Sequence, residues 1–212
     1  MKNIRLTVWI GIMCGWLAAG MLQAGTRPDN ARPAEEDGSR LWLPVMRPVE
    51  GAEVEVIYKG KVSPTIAVAI AELKNAWKGE PVLLEKKRTG QGDGFAITSS
   101  EHQVRILSST EAGLLYGVYS LLRMQAVGQV TVPLSVTEQS VYDLRILNHW
   151  DNPDGTVERG YAGCSLWNWE ELPGTLSPRY EAYARANASV GINGTVLNNV
   201  NASPQVLATG SL

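Results

Sequence analysis

Phenylalanine occurs once in these 212 residues, and histidine and cysteine twice each. The shortage of cysteine excludes a disulfide framework. Cys14 falls in a targeting segment, which leaves Cys164 alone, and one thiol closes no internal bridge. Cysteine and histidine nowhere take the paired spacing of a metal site, so neither a metal nor another cofactor is expected. Cys164 reads as a small apolar side chain bound for the interior. A strong charge of one sign is lacking too. The net charge of −2 gives no basic footprint for nucleic acid and no polybasic patch for a membrane surface. What is present in excess is tryptophan, seven residues against the single phenylalanine. An indole ring can cover the apolar face of a pyranose while neighbouring amides bond its hydroxyls.

The apolar share of 44% and charged share of 19% are those of an ordinary globular protein. The length suffices for one large domain, or a small one plus part of another. Lys2 and Arg5 precede an apolar run, Leu6 to Leu22, and Gln23-Ala24-Gly25 offers a small-residue cleavage point. Residues 1–24 therefore read as a signal peptide and predict export to the periplasm or beyond, with no membrane association after cleavage. A retained anchor is the alternative, because the run approaches the ~20 residues that span a bilayer. No basic stop-transfer cluster follows it. Residues 25–39, rich in Pro, Gly and acid, read as a polar lead-in.

From residue 40 to 136 the pattern alternates strands with helices. Glu53 to Tyr58 has the period-two alternation of a half-buried strand. Ser63 and Pro64 start a helix on which Ile66, Ile70, Leu73 and Trp77 share a face, with Gly79 as its stop. PVLLEKK, GFAITSS and QVRILSS give three further strands, and QGDG a turn between two of them. Ser108 and Glu111 fit a capping box for a second helix, whose stripe is Leu114, Val118, Leu121 and Leu122. Gly113 and Gly117 on that helix allow a neighbour to approach closely. The expected α+β domain is a sheet with both helices on one face, with no catalytic role. Pro133 marks an edge or a turn, and the boundary to the next domain is set near 137.

Residues 137–212 change character. Leu144 to Leu147 reads as a strand, ERGYAGCSLWNW as an aromatic loop, and PRYEAYARANASV as a helix with Tyr180, Tyr183, Ala184, Ala188 and Val190 facing a sheet. Thr195 to Asn198 is the next strand, which makes a βα unit of a parallel fold. In a (β/α)8 barrel, residues just past the strand ends build the active site. His149, Trp150, Asp151 and Asn152 follow the first strand, and Asn198, Asn199, Val200 and Asn201 close the second. A full barrel needs about 250 residues, so residues 144–212 supply roughly two of its eight units. The fold class expected is thus α/β: an α+β domain followed by the first βα units of an incomplete TIM barrel. The carboxylates near the mouth are Asp151, Asp154, Glu158, Glu170 and Glu171. Asp154-Gly155 reads as a turn and Glu158-Arg159 as a local ion pair. Asn187, Asn193 and Asn201 stand in N-x-[ST] sequons that read as chance matches.

NHWDNPDGTVERGYAG, SLWNW and GINGTVLNNVNASP resemble the opening of the catalytic barrel in family 67 α-glucuronidases, over most of residues 140–204. EDGSRLWLP and GLLYGVYSLLR are more weakly similar to that family's N-terminal domain. The resemblance implies an inverting glycosidase that frees glucuronic acid, or its 4-O-methyl ether, from glucuronoxylan-derived oligosaccharides. It also allows a homodimer of the full-length enzyme. It places Trp150 on the glucuronic acid and Val200 near the sugar's O4 substituent, where valine gives an apolar wall. Asn201, His149 and Asp151 are the further candidates for sugar contact. The family's catalytic carboxylates belong to later strands, so no residue here is assigned as acid or base. A non-catalytic carbohydrate-binding protein and another barrel glycosidase with the same two-domain plan stay open as alternatives.

Overall fold

The computed structural model describes residues 42–43, 54–88, 92–168, 170–172 and 174–198. The first part is built on a five-stranded sheet. Its strands are β1 (Val56–Tyr58), β2 (Val82–Lys86), β3 (Phe95–Ser99), β4 (Val104–Ser108) and β5 (Ser135–Glu138), in the order β1-β2-β4-β3-β5. β1, β2 and β4 run parallel, whereas β3 is antiparallel to both β4 and β5. Side chains alternate across each strand. Leu84, Ile106, Ile97 and Val136 are register partners in turn and make one apolar row across four strands. The other face carries polar groups, including the Arg105–Glu85 ion pair.

Helices α1 (Pro64–Ala76) and α2 (Glu111–Ala126) pack against each other and against the apolar row, forming the expected two layers. Ile66, Leu73, Leu114, Val118, Leu121 and Leu122 are fully buried there, each typically worth about 1.5–3 kcal/mol of transfer free energy. Ser63 caps α1 by accepting from the Ile66 amide, and its hydroxyl donates to Glu111 Oε2 at 2.5 Å. That bond ties the start of one helix to the start of the other.

Two local expectations are corrected. The cap of α2 is Thr110, which accepts from the Gly113 amide, and not Ser108. Ser108 is the last residue of β4, fully buried, and donates to the Gly94 carbonyl. α1 ends at Trp77, whose backbone is extended, and not through Gly79. Gly79 is needed for another reason: a Cβ there would lie 2.3 Å from the Trp77 indole, which donates to the Glu80 carbonyl. β5 ends at Glu138, beside the boundary set near 137.

The second part is β6 (Ile146–Trp150), α3 (Pro178–Ser189) and β7 (Gly194–Asn198), with β6 and β7 parallel and in register from Ile146↔Gly194 to Trp150↔Asn198. β6 starts two residues later than expected. Leu144 is left exposed before it, and His149 and Trp150 are its last two residues instead of following it. The described residues form a mixed α/β structure, in which a parallel βαβ unit follows the sheet.

α3 docks on α2, and arginines from both sides form the seam. Arg185 holds Glu72 of α1 with two nitrogens, at 2.5 and 2.8 Å, and donates to the Leu43 carbonyl at 2.7 Å. Leu43 in turn gives its amide to Ser189. Arg123 of α2 reaches the Ser189 carbonyl. Arg145 binds Asp93, the Gly191 carbonyl and the Tyr142 carbonyl, fixing the segment between β5 and β6. These contacts set where the end of β6 lies.

Candidate functional site

The alternation of β6 divides its residues between two faces. Leu147 and His149 are half-buried toward α3, whereas Ile146, Asn148 and Trp150 are exposed on the opposite face. Trp150 is 47% exposed in its last position. Its register partner Asn198 ends β7, so an indole and the end of the neighbouring strand meet at one corner of the open face.

The loop after β6 folds back on this corner. The Glu158 amide donates to the Trp150 carbonyl at 2.7 Å, and Asp151 bridges antiparallel to Val157. Asn152 is buried and gives its amide to Thr156 Oγ1 and the Glu158 carbonyl. Asp154 accepts from both the amide and the hydroxyl of Thr156, which holds its carboxyl below the usual range, and Gly155 takes the positive φ of the turn. The expected turn at Asp154-Gly155 is therefore present. Glu158 adopts φ +53°, and its bond with the Tyr161 hydroxyl pushes that phenol's pKa up. Cys164 is exposed, contrary to its expected burial, because it lies in this outward hairpin opposite Thr156.

On the α3 side lies a second cluster. His149 Nε2 is 2.5 Å from the Tyr183 hydroxyl, and Nδ1 is 3.6 Å from Asp151 Oδ1. Asp151 is only 2% exposed, and its other oxygen accepts from the Ser165 hydroxyl. Ser165 also accepts from the Trp167 amide at 2.9 Å. The Trp167 ring stacks on Tyr180, with centroids 5.0 Å apart, and meets His149 and Tyr183 edge-on at 5.5 Å. Tyr180 then accepts from the Asn168 amide and donates to Glu171, which is also paired with Arg179.

The sequence-read residues thus separate. Trp150 stands on the open face, available to a ligand. Asp151, expected to touch a sugar, is buried beneath the loop and instead holds Ser165 and faces His149. His149 is directed at α3, away from the Trp150 face. Val200, Asn201, Asn199 and Trp169 lie outside the described residues, as do the targeting segment and the lead-in. Trp167 packs against Tyr180, Tyr183 and His149. Asn187 is buried in α3, and Asn193 bonds Arg145 and Asp143, so neither sequon presents a free surface amide. Sequence reasoning missed Ser165 altogether and took Tyr180 and Tyr183 only as packing residues. Their spacing put them on the correct helix face, but nothing in that spacing says where a hydroxyl goes. Among the described residues no group of His, Cys, Asp and Glu could hold a metal ion.

Residues 124–212 match the glycosyl hydrolase family 67 middle domain. The probable alpha-glucuronidase A of Aspergillus clavatus is 40% identical over 116 residues, covering 54% of this chain and 14% of that protein. Its counterpart in Aspergillus terreus is 42% identical over 117 residues, again 54% and 14%. The alpha-glucuronidase A of Aspergillus tubingensis is 39% identical over 115 residues, with the same shares. The chain thus spans 14% of the length of these curated relatives. Among solved structures, a family GH115 4-O-methyl-alpha-glucuronidase with specificity for decorated arabinogalactans overlaps 68% of this chain and 25% of its own, at TM-score 0.46 and 12% identity. An overlap that loose carries no argument. The sequence match does, and it makes residues 124–212 similar to the glycosyl hydrolase family 67 middle domain.

Proposed function

We propose that β6, α3 and β7 open a (β/α)8 barrel, and that the corner bearing Trp150 is one wall of the glucuronic acid subsite of an exported α-glucuronidase acting on glucuronoxylan-derived oligosaccharides. The observation that carries this reading is the exposed indole at the C-terminal end of a parallel strand, within a segment of family 67 type. Strand ends are where such barrels place their chemistry. The names of the fungal relatives support the activity. In this reading Trp150 covers the apolar face of the sugar ring, Val200 leaves room for a 4-O-methyl group, and Asn201 bonds a hydroxyl.

Inverting hydrolysis needs an acid and a base, typically about 6.5–9.5 Å apart with water between them. The carboxylates around this corner have other work. Asp151 is buried on Ser165, Asp154 holds its turn, Glu158 is bonded to Tyr161, and Glu171 is paired with Arg179. Residues 199–212 contain no Asp or Glu. Glu170 is exposed, with its backbone amide on Asn168 Oδ1. Because the family resemblance puts the catalytic carboxylates on later strands, the acid and base are assigned to other parts of the catalytic domain, and this segment binds and orients.

The test is Trp150→Ala in a catalytic domain that contains this segment. An aromatic contact of this size is worth about 1–3 kcal/mol, so kcat/KM on a 4-O-methylglucuronosyl xylo-oligosaccharide should fall roughly 10- to 100-fold. Unchanged efficiency in a folded variant would remove Trp150 from the subsite.

A further inference from the structure

Trp150 is held at an open corner, and what holds it is not the sheet alone. Among the described residues β6 pairs only with β7, and the register runs from Ile146↔Gly194 to Trp150↔Asn198. The Trp150 carbonyl also accepts from the Glu158 amide, but backbone bonds fix the strand and not the direction of the indole. The two residues flanking Trp150, however, are anchored by their side chains on the face away from it. His149 is tied to Tyr183 of α3, and Asp151 to Ser165 of the loop.

The chemistry of that pair gives it a direction. The Asp151 carboxylate is almost entirely buried, and one of its oxygens faces His149 Nδ1 at 3.6 Å. That is long for a hydrogen bond but close for charge. A buried carboxyl facing one ring nitrogen favours the tautomer with its N–H on that side, with Nε2 as the acceptor. The Tyr183 hydroxyl, 2.5 Å away, then donates to it. Ser165 donates to the other carboxylate oxygen and accepts from the Trp167 amide, which ties Asp151 into the loop. The edge-on contacts of Trp167 with His149 and Tyr183 restrict the same ring planes.

We infer that Tyr183, His149, Asp151 and Ser165 form a positioning relay for Trp150: four side chains that touch no sugar and fix the direction of the indole that does. The inference rests on the subsite reading above. It also deepens that reading, because it makes His149 and Asp151 supports of the wall instead of sugar ligands.

The test uses the 212-residue chain labelled with 5-fluorotryptophan, with the Trp150 signal assigned by Trp150→Phe and the Trp77 signal as a monitor of the buried core. Tyr183→Phe deletes one hydroxyl and should displace or broaden the Trp150 resonance while Trp77 stays in place. Asp151→Ala should do the same. Asp151→Asn keeps an acceptor for Nδ1–H and should bring the Trp150 signal back toward its original position. A Trp150 signal unmoved in folded Tyr183→Phe overturns the relay. So does loss of the Trp77 signal in both Tyr183→Phe and Asp151→Ala, because the bonds would then serve the whole fold. Failure of Asp151→Asn to restore the signal overturns it as well. Titrating the original chain with a 4-O-methylglucuronosyl xylo-oligosaccharide separates the two ideas. A sugar that leaves Trp150 unmoved counts against the subsite, while the response to Tyr183→Phe still decides the relay.

Discussion

Two glycines on α2 do work that helix propensity alone would mark as a loss. A glycine inside a helix typically costs about 1 kcal/mol relative to alanine. Here a Cβ at Gly117 would sit 2.5 Å from Ile106 Cγ2, and one at Gly113 would sit 2.7 and 2.9 Å from the carbonyls of Asp93 and Gly94. The first neighbour is a branched side chain locked in the core, and the others are backbone, so neither can yield cheaply. Gly113→Ala should therefore destabilise the protein despite the propensity gain, by about 1–3 kcal/mol as overpacking usually does. Urea unfolding would measure it, and a midpoint equal to or above that of the parent would contradict the close packing. The sequence displayed this pair because two glycines four apart on an apolar helix face invite a close neighbour. It did not display Thr110 as the cap, because Ser108 and Glu111 satisfy the same pattern and only the end of β4 decides between them. Nor did it show Cys164 outside, because the exposure follows from a hairpin that a single residue does not announce.

α3 is an element held from outside. Ser177 makes no side-chain cap bond, and no basic residue sits in the last turn, so its ends contribute little of their own. What fixes it are Arg185, Ser189 and the tyrosines. Arg185 is mostly buried, paired bidentately with Glu72 and set over the Tyr119 ring at 5.8 Å. Burial foremost, then Glu72, pushes the Tyr119 hydroxyl pKa well up. Replacing Arg185 by Ala would strand the Glu72 carboxylate in a largely buried place, a change that typically costs about 3–5 kcal/mol. Some relief by water entering the seam should bring the loss to roughly 3 kcal/mol. Amide exchange should rise across α3 and at Leu43, more than across β2 or β4. Equal increases everywhere would mean that the pair stabilises the fold as a whole and not the docking of α3. The helix itself was legible from Ser177-Pro178 and its tyrosine spacing. Its partner was not. An ion pair between residues 113 positions apart leaves no periodic trace, and the sequence suggested packing on a sheet where α3 also leans on α2.

At the scale of the molecule the two parts differ in what they can bury. The five-stranded sheet has one face covered by α1 and α2, and its core residues from Ile66 to Leu134 are closed from water. The β6–β7 pair has α3 on one side only. Ile146, Trp150 and Val196 are each more than 40% exposed on the other, and a two-stranded parallel sheet is weak without cover on both faces. This asymmetry was readable as a change of pattern near 137, next to the end of β5, which is short, polar and antiparallel at an edge. It yields a prediction about folding. A fragment of residues 40–140 should unfold cooperatively in urea, with core amides of β2 and β4 as protected as in the whole chain. A fragment of residues 140–212 should show no cooperative transition, since it loses the Arg185–Glu72 and Arg145–Asp93 pairs together with the surface of α2. In the whole chain, amides of β6 and β7 should exchange faster than those of β4, because breaking the seam releases them without opening the sheet. Equal protection of β4 and β6 would mean that the seam couples both parts into one unit, and the independent folding of residues 40–140 would then have to be given up.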